Sequence, residues 1–289
     1  MTAKPATLTL SARPPYDQGK LVPFWLVHVA ALFGCALWWL GTIPVSPATL
    51  ILAAIYFCIS STSITAGYHR LFSHPTYKAR WPLKLFYLLF GAAAVQGSAI
   101  QWSAQHRDHH TFCDKNGDPY NIKMGFWYAH WGWVMRKTFP NYKRVKDLEK
   151  NRLLILQYKV YLPLAIGNAF ILPAIIGWVF WGEAWSSLFI AGFLRVVIQW
   201  HMTFCVNSVA HYFGSQKYTI KYSARGSWWL SFVTWGEMDH NFHHAYPNDF
   251  RTGARWWDFD PSKWFIWICS KIGLASELKR TDANKILQP

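Results

Sequence analysis

Nine histidines of this sequence fall into short clusters: His69-x4-His74, His106-x2-His109-His110, a lone His211 four residues after Asn207, and His240-x2-His243-His244. With 12 histidines among 289 residues, one H-x-x-H-H run is rare by chance and two argue for a shared task. Imidazole is a common metal ligand, and on a helix residues i, i+3 and i+4 share a face. His106 with His109 and His110 can therefore point at a common centre, as can His240 with His243 and His244. Each adjacent pair can divide between two metals. Nine imidazoles exceed the roughly four to six positions of one first-row ion, so two ions are the economical reading. The ligands do not name the metal, because imidazole suits Fe, Zn, Cu and Ni alike. Asp108, Glu237 and Asp239 lie inside or beside the clusters, where a carboxylate can accept a ring N–H and fix a tautomer. The remaining His28, His130 and His201 read as packed or interfacial residues.

The elements that must position these histidines are apolar. Hydrophobic residues make up 52% and aromatic residues 18% of the chain, while only 15% are charged. Soluble domains run near about 25% charged, and this apolar content excludes disorder. Five cysteines give no disulfide framework, and Cys35, Cys58 and Cys205 read as packing residues within apolar runs. Four runs approach the roughly 20 residues that a helix needs to cross a bilayer. They cover residues 22–40, 48–68, 162–181 and 185–206, in two hairpins with short loops free of Lys and Arg. The expected fold is an all-α membrane protein of one domain, 1–289. Four transmembrane helices carry a helical cytosolic cap (69–159 and 207–289) that holds a His-rich di-metal site. A further apolar stretch, 83–100, reads as an interfacial helix, because it is interrupted by Gly91, Gln96 and Gly97 and a span there would separate the His clusters.

Charge sets the orientation. The 29 Lys and Arg outnumber the 14 Asp and Glu, for a net +15. Three basic residues fall in 1–21, fifteen in 69–159 and ten in 207–289, with Arg195 alone inside a span. The positive-inside rule places both termini and the middle segment in the cytosol. The first apolar run is too long for a cleavable signal. A multi-pass protein of this kind belongs in the plasma membrane of a bacterium or the endoplasmic reticulum of a eukaryote. The aromatics sit in the spans and at their ends, and no nucleic-acid module is present, so nucleic acid is not an expected partner. Trp256-Trp257 and Trp264-Phe-Ile-Trp267 read as an interfacial anchor. Arg195, a charge inside a span, reads either as functional or as a structural cation that pairs with a carbonyl or snorkels.

From about Thr65 to Leu278 the chain resembles the membrane-bound fatty-acyl desaturases, most closely the stearoyl-CoA delta-9 desaturases. The segments that carry the resemblance are Ile64-Thr-Ala-Gly-Tyr-His-Arg-Leu-Phe-Ser-His74, His106-Arg-Asp-His-His110, Asp118-Pro-Tyr-Asn121, Asn207-Ser-Val-Ala-His211 and Gly236-Glu-Met-Asp-His-Asn-Phe-His-His244. The resemblance implies two Fe ions on the nine clustered histidines, His69, His74, His106, His109, His110, His211, His240, His243 and His244, with Asn207 at one metal directly or through a water. It also implies a kinked substrate tunnel shaped by Gln96, Trp102 and Thr203, with Phe57 at its floor. Where acyl-CoA members carry an Arg-Asp pair, this chain has Ala104-Gln105. Arg136 and Lys137 resemble the family's downstream basic pair and could take the headgroup of CoA, an acyl carrier protein or a lipid.

The implied activity is that of an oxidoreductase. An acyl chain, O2, two electrons and two protons give a cis double bond and two waters, with a delta-9 acyl-CoA thioester as the expected substrate. Acyl-lipid and acyl-carrier-protein substrates, and hydroxylase or acetylenase outcomes on the same scaffold, are the alternatives. The chain shows no Cys cluster, Gly-x-Gly-x-x-Gly or haem domain after residue 244, so electrons are expected from a separate donor. Cytochrome b5 or ferredoxin with its reductase would dock on the basic face.

Overall fold

The computed structural model describes residues 13–237 and 239–286. Among the described residues four helices are long and apolar enough to cross a bilayer: α1 (Gln18–Trp39), α2 (Pro47–Ser73), α6 (Tyr161–Trp181) and α7 (Ala184–His211). They coincide with the four apolar runs of the sequence. Both α2 and α7 outlast those runs, to 73 rather than 68 and to 211 rather than 206, and the extensions carry His69 and His211. Asp17 opens α1 by accepting the Gly19 N–H, and Ser46 opens α2 with Pro47 at its first position. Gly182, at φ +76°, closes α6 and lets the chain reverse into α7. Beyond that turn, the Glu183 carboxylate accepts from Ser46 Oγ (3.1 Å) and Thr49 Oγ1 (2.6 Å), which ties the two hairpins together. Leu26, Val29, Leu32 and Phe33 of α1 face outward, as lipid-facing residues must. On the inner side Gly34 meets α7 so closely that a Cβ there would lie 2.3 Å from Phe189 Cβ.

The expected helix over 83–100 is instead two helices and a loop. Helix α3 (Trp81–Ala92) stops, residues 93–98 turn, and α4 (Ala99–Phe112) begins on a capping box between Ser98 and Gln101. Ala92, Ala93 and Ala94 are fully buried, so the carbonyls freed at the end of α3 need partners from the protein. They find them. Gln157 Nε2 donates to Leu88 O (3.1 Å), Asn168 Nδ2 to Leu89 O (3.3 Å), Arg195 Nη1 to Ala93 O (2.6 Å) and Trp200 Nε1 to Ala94 O (2.9 Å). Arg195 also donates to Ala191 O and Ala169 O at 3.1 Å each and to Gln199 Oε1 at 3.2 Å. The intramembrane charge is thus spread over carbonyl oxygens rather than paired with a carboxylate.

The cap joins α4, α5 (Arg152–Lys159), α8 (Leu230–Val233), α9 (His240–Ala245) and α10 (Pro261–Lys271) through turns. One antiparallel pair, β1 (Lys78–Ala79) with β2 (Ala275–Ser276), is a small addition to the expected all-α fold. Tyr68, Tyr87, Ile100, Leu154, Phe250 and Ile266 form one apolar cluster that locks the end of α2 to α3, α4, α5 and α10. Trp256, Trp257, Trp264 and Trp267 are exposed, with Arg255 over Trp257 and Lys271 over Trp267, the chemistry expected of an interfacial anchor.

Candidate metal centre

The His69-x4-His74 spacing does not suit an α-helix, where residues five apart point about 140° away from each other. The chain resolves this by winding α2 as a π-helix over Ser63–Ser73. His74 N donates to His69 O (3.1 Å), the i→i+5 bond of a π turn, and the two rings come to 5.0 Å. Helix α4 presents His106, His109 and His110, α9 presents His240, His243 and His244, and His211 ends α7.

These side chains form two groups in which the ligand nitrogens lie within 4.8 Å of one another: His69, His74, His106, His110 and His243, and then His109, His211, His240 and His244. The adjacent pairs 109/110 and 243/244 each split between the groups. Every one of the nine turns its Nε2 toward another Nε2, at 2.8 Å for His74–His106, 2.9 Å for His243–His110, 3.0 Å for His69–His243, 3.1 Å for His240–His211 and His244–His240, and 3.3 Å for His109–His244. Neighbouring donors on one ion, with bonds of about 2.1 Å at near-right angles, would stand about 3.0 Å apart. Burial and mutual repulsion push His74, His106, His110, His240, His243 and His244 well below the usual imidazole range. They are neutral donors with lone pairs turned inward, a set that fits cations.

Carboxylates fix two of these rings from behind. Glu237 Oε2 lies 3.2 Å from His69 Nδ1, and Asp118 Oδ1 lies 2.9 Å from His109 Nδ1. Burial would raise the Glu237 carboxyl, but the Arg70 guanidinium (2.8 Å) and His69 hold it down at about 2. Arg70 is itself buried and also pairs with Asp260 (2.9 Å). His211 Nδ1 meets Ser223 Oγ (2.7 Å), which donates to Asp114 (2.5 Å). Cys113 also stands near His109 and Asp118, but burial and the neighbouring Asp114 and Asp118 push its thiol up, so it stays protonated and makes a poor ligand.

The other two candidate carboxylates lie differently. Asp108 forms an ion pair with Arg144 (Nε at 2.8 Å) and accepts from Asn141 N (2.8 Å), and so ties α4 to the 141–145 turn. Asp239 packs against Gly226, and its carbonyl accepts His243 N (3.1 Å). The sequence does not mark Asp118 as a ring partner. It belongs to the Asp118-Pro-Tyr-Asn121 segment, but nine residues and a tight turn separate it from His109.

A cavity of about 510 Å³ opens beside the histidines, and His69 and His106 of one group and His109 and His240 of the other line it. Gln96, Trp102, Thr203 and Asn207 line it as well. Gln96 Nε2 donates to Thr203 Oγ1 (2.9 Å), Trp102 Nε1 reaches Gln96 Oε1 (3.3 Å), and the Trp102 ring stacks on His106 at 4.9 Å. Phe57 stands one layer back, edge-on to Trp235 (5.7 Å), and it is Trp235 that lines the cavity. Asp17, Lys20, Gln105 and Thr138 also line it. Lys20 Nζ donates to Thr138 Oγ1 (2.8 Å) and Arg136 O (3.0 Å). The Arg136 guanidinium sits over the Tyr16 ring (4.0 Å) and donates to Pro14 O (2.6 Å), so the N-terminal segment occupies it. Lys137 is exposed beside a second, smaller groove that shares Gln105 and Thr138 with the cavity.

His28, His201 and His130 stand apart from the two groups as a linear chain. His28 Nε2 meets His201 Nε2 (3.2 Å), and His201 Nδ1 meets His130 Nε2 (3.0 Å). The ends reach Phe24 O (2.7 Å) and Ser208 Oγ (2.9 Å), and the Ser208 hydroxyl also donates to Phe204 O (2.8 Å). The chain links α1, α7 and the Tyr128–Gly132 turn, and packing accounts for it.

The sequence pattern of the family described as fatty acid desaturase matches residues 44–264. A probable acyl-CoA desaturase of Schizosaccharomyces pombe is 44% identical over 91% of this chain and 56% of its own length. Acyl-CoA desaturase 1 of Saccharomyces cerevisiae is 40% identical over 85% of the chain and 49% of its own length. The chain thus spans about half the length of these two fungal relatives. Human stearoyl-CoA desaturase is 35% identical over 96% of the chain and 78% of its own length. Four bilayer-length helices, two converging histidine groups and this likeness over most of the sequence lead to one conclusion: the chain is a membrane protein that belongs to the fatty acid desaturase family.

Proposed function

We propose that the protein is an O2-dependent acyl-CoA desaturase that inserts a cis double bond, at the delta-9 position, into a saturated fatty-acyl chain. The observation that carries this reading is the cavity, because donors from both histidine groups line one apolar space that also holds Gln96, Trp102 and Thr203. The names of the fungal and human relatives support the acyl-CoA substrate and the desaturation. In this reading His69, His74, His106, His110 and His243 hold one iron, and His109, His211, His240 and His244 the other with Asn207 beside it. Bound iron would supply activated dioxygen, the oxidant that an unactivated methylene requires and that side chains cannot provide.

The protein's own part is orientation and protection. Trp102, stacked on His106, fixes how close a chain can come, while the Gln96–Thr203 hydrogen bond closes the bend. Phe57 limits chain length through Trp235. The buried histidines keep water out of the centre, and Glu237 and Asp118 keep Nδ1 protonated on His69 and His109, leaving each Nε2 free to bind. Lys20 and Lys137, with Arg136 shaping the same rim, take the phosphates of CoA. The cap and both termini face the cytosol, and cytochrome b5 or a ferredoxin delivers electrons to its basic face.

The test is expression in a desaturase-deficient host with a competent donor, followed by mass-spectrometric location of double bonds in the lipids. The expected product is a cis delta-9 alkene. A hydroxylated product, or no alkene with the donor supplied, would overturn the reading.

A further inference from the structure

The cavity wall around Gln96, where the desaturase reading puts the bend, is built from backbone as well as side chains. Gln96 lies in the loop of residues 93–98 between α3 and α4, and Val95, Gln96 and Gly97 all line the cavity. Val95 has φ +54°, a left-handed conformation that a β-branched residue keeps only when its surroundings hold it there. The restraints come from α6 and α7. Arg195 Nη1 donates to Ala93 O (2.6 Å), Trp200 Nε1 to Ala94 O (2.9 Å), and Gly97 N to Tyr161 Oη (2.8 Å).

Arg195, Gln199 and Thr203 form an i, i+4, i+8 stripe on α7 that faces this loop. Arg195 donates to Gln199 Oε1 (3.2 Å), Gln199 O accepts from Thr203 Oγ1 (3.1 Å), and Thr203 Oγ1 accepts from Gln96 (2.9 Å). Arg195 is 2% exposed, and its guanidinium spans carbonyls of the loop, of α6 and of its own helix at once. A buried cation in a membrane span is costly. A neutral amide offers at most two N–H donors, whereas the planar guanidinium fork offers five and here fixes three segments relative to one another.

We propose that Arg195 is a specificity-determining positioning residue. By holding Ala93 against α6 and α7, beside Trp200 at Ala94 and Tyr161 at Gly97, it fixes the bend, and so sets which carbon pair of the acyl chain stands beside the histidines. The proposal rests on the desaturase reading above. Without the clamp, Val95 relaxes toward negative φ, Gln96 shifts, and the chain slides by one or more methylenes.

The experiment compares the chain with its Arg195→Lys, Arg195→Met and Trp200→Phe variants in the desaturase-deficient host. It reads double-bond position, product chain length and the metal content of the purified proteins. The wild type is expected to give one dominant positional isomer. In Arg195→Met a second isomer rises to roughly a tenth of the alkene. Trp200→Phe, which keeps a ring but loses the N–H, moves the same way to a smaller extent, and Arg195→Lys restores part of the selectivity. Metal content stays at the wild-type level, since Arg195 touches none of the nine histidines. Variants that make alkene with the wild-type isomer and chain-length distribution overturn the proposal. Loss of the folded protein in both Arg195→Met and Trp200→Phe also overturns it, because the role is then structural. A wild type that makes no alkene brings down the desaturase reading itself, an outcome visible before any variant is compared.

Discussion

Glu237 holds His69 from behind, 3.2 Å from its Nδ1, while its other carboxylate oxygen receives Arg70 at 2.8 Å. The arrangement fixes the tautomer of His69, since a carboxylate only accepts and Nδ1 must carry the proton. In Glu237→Gln the amide oxygen is kept by Arg70, and the NH2 group faces Nδ1. The proton then moves to Nε2 and blocks the inward lone pair. Metal affinity of the five-histidine group is expected to fall by about 10- to 100-fold, read by metal analysis after dialysis against a weak chelator. Wild-type retention in this variant would remove Glu237 from the positioning of His69.

Asp118 gives the matching prediction for the other group. It lies 2.9 Å from His109 Nδ1 and also accepts the backbone N–H groups of Asp114 and Tyr120. Asp118→Asn keeps an oxygen for the turn but offers N–H to the ring. The four-histidine group is expected to empty first, so the metal-to-protein ratio drops from about two toward one under conditions where the wild type stays loaded. Equal loss from both groups would contradict the division of the nine histidines.

The metal-free protein carries a pH signature. Burial and mutual repulsion hold His74, His106, His110, His240, His243 and His244 well below the usual imidazole range, whereas unfolded imidazoles titrate at about 6.5. Between the folded and unfolded values the unfolded chain binds more protons, so stability is full above about pH 6.5 and falls as the pH drops below it. Glu237, held at about 2, adds to the same trend below its ordinary 4.5. Detergent-solubilised, chelator-treated protein is expected to lose at least about 5 °C in Tm between pH 7.5 and 5.5. A flat or rising Tm across that window would show that these imidazoles are not buried together as neutral donors.

Much of the fold was legible because hydropathy is a long-range average. Four apolar runs located four helices, and the i, i+3, i+4 spacing of His106–His110 and His240–His244 placed each trio on one face. What stayed hidden depends on local geometry. Nothing in the residue types around His69 and His74 announces a π-helix, although their five-residue spacing is the trace it leaves. The stretch 83–100 read as one helix because hydropathy does not register a turn whose carbonyls are capped by Gln157, Asn168, Arg195 and Trp200 from later in the chain. For Arg195 the sequence left function and carbonyl pairing open, and which carbonyls it meets depends on residues distant in the chain. Asp108 sits inside a histidine box yet serves Arg144, while Asp118, outside every box, reaches His109. Sequence adjacency is a weak guide once a helix sets the direction of a side chain.

The basic pair at the cavity rim divides by the same logic of partners. The Arg136 guanidinium is occupied by the Tyr16 ring and Pro14 O, which pins the N-terminal segment over the rim. Lys137 uses only its backbone N–H in that contact, bonding to Pro15 O (3.0 Å), and its side chain is exposed beside the smaller groove. A phosphate-bearing headgroup would therefore meet Lys137 as a free point charge and Arg136 as part of the frame. Lys137→Met is expected to raise KM for an acyl-CoA about three- to tenfold with kcat little changed, the mark of binding energy felt equally in ground and transition states. The difference should shrink at high salt, because an exposed charge is screened. Arg136→Met should instead lower Tm by a few degrees, since it releases the segment that carries Tyr16 and Lys20. The reverse result, with KM responding to Arg136→Met at unchanged Tm and indifferent to Lys137→Met, would assign the headgroup to the arginine and leave the N-terminal segment as a movable cover over it.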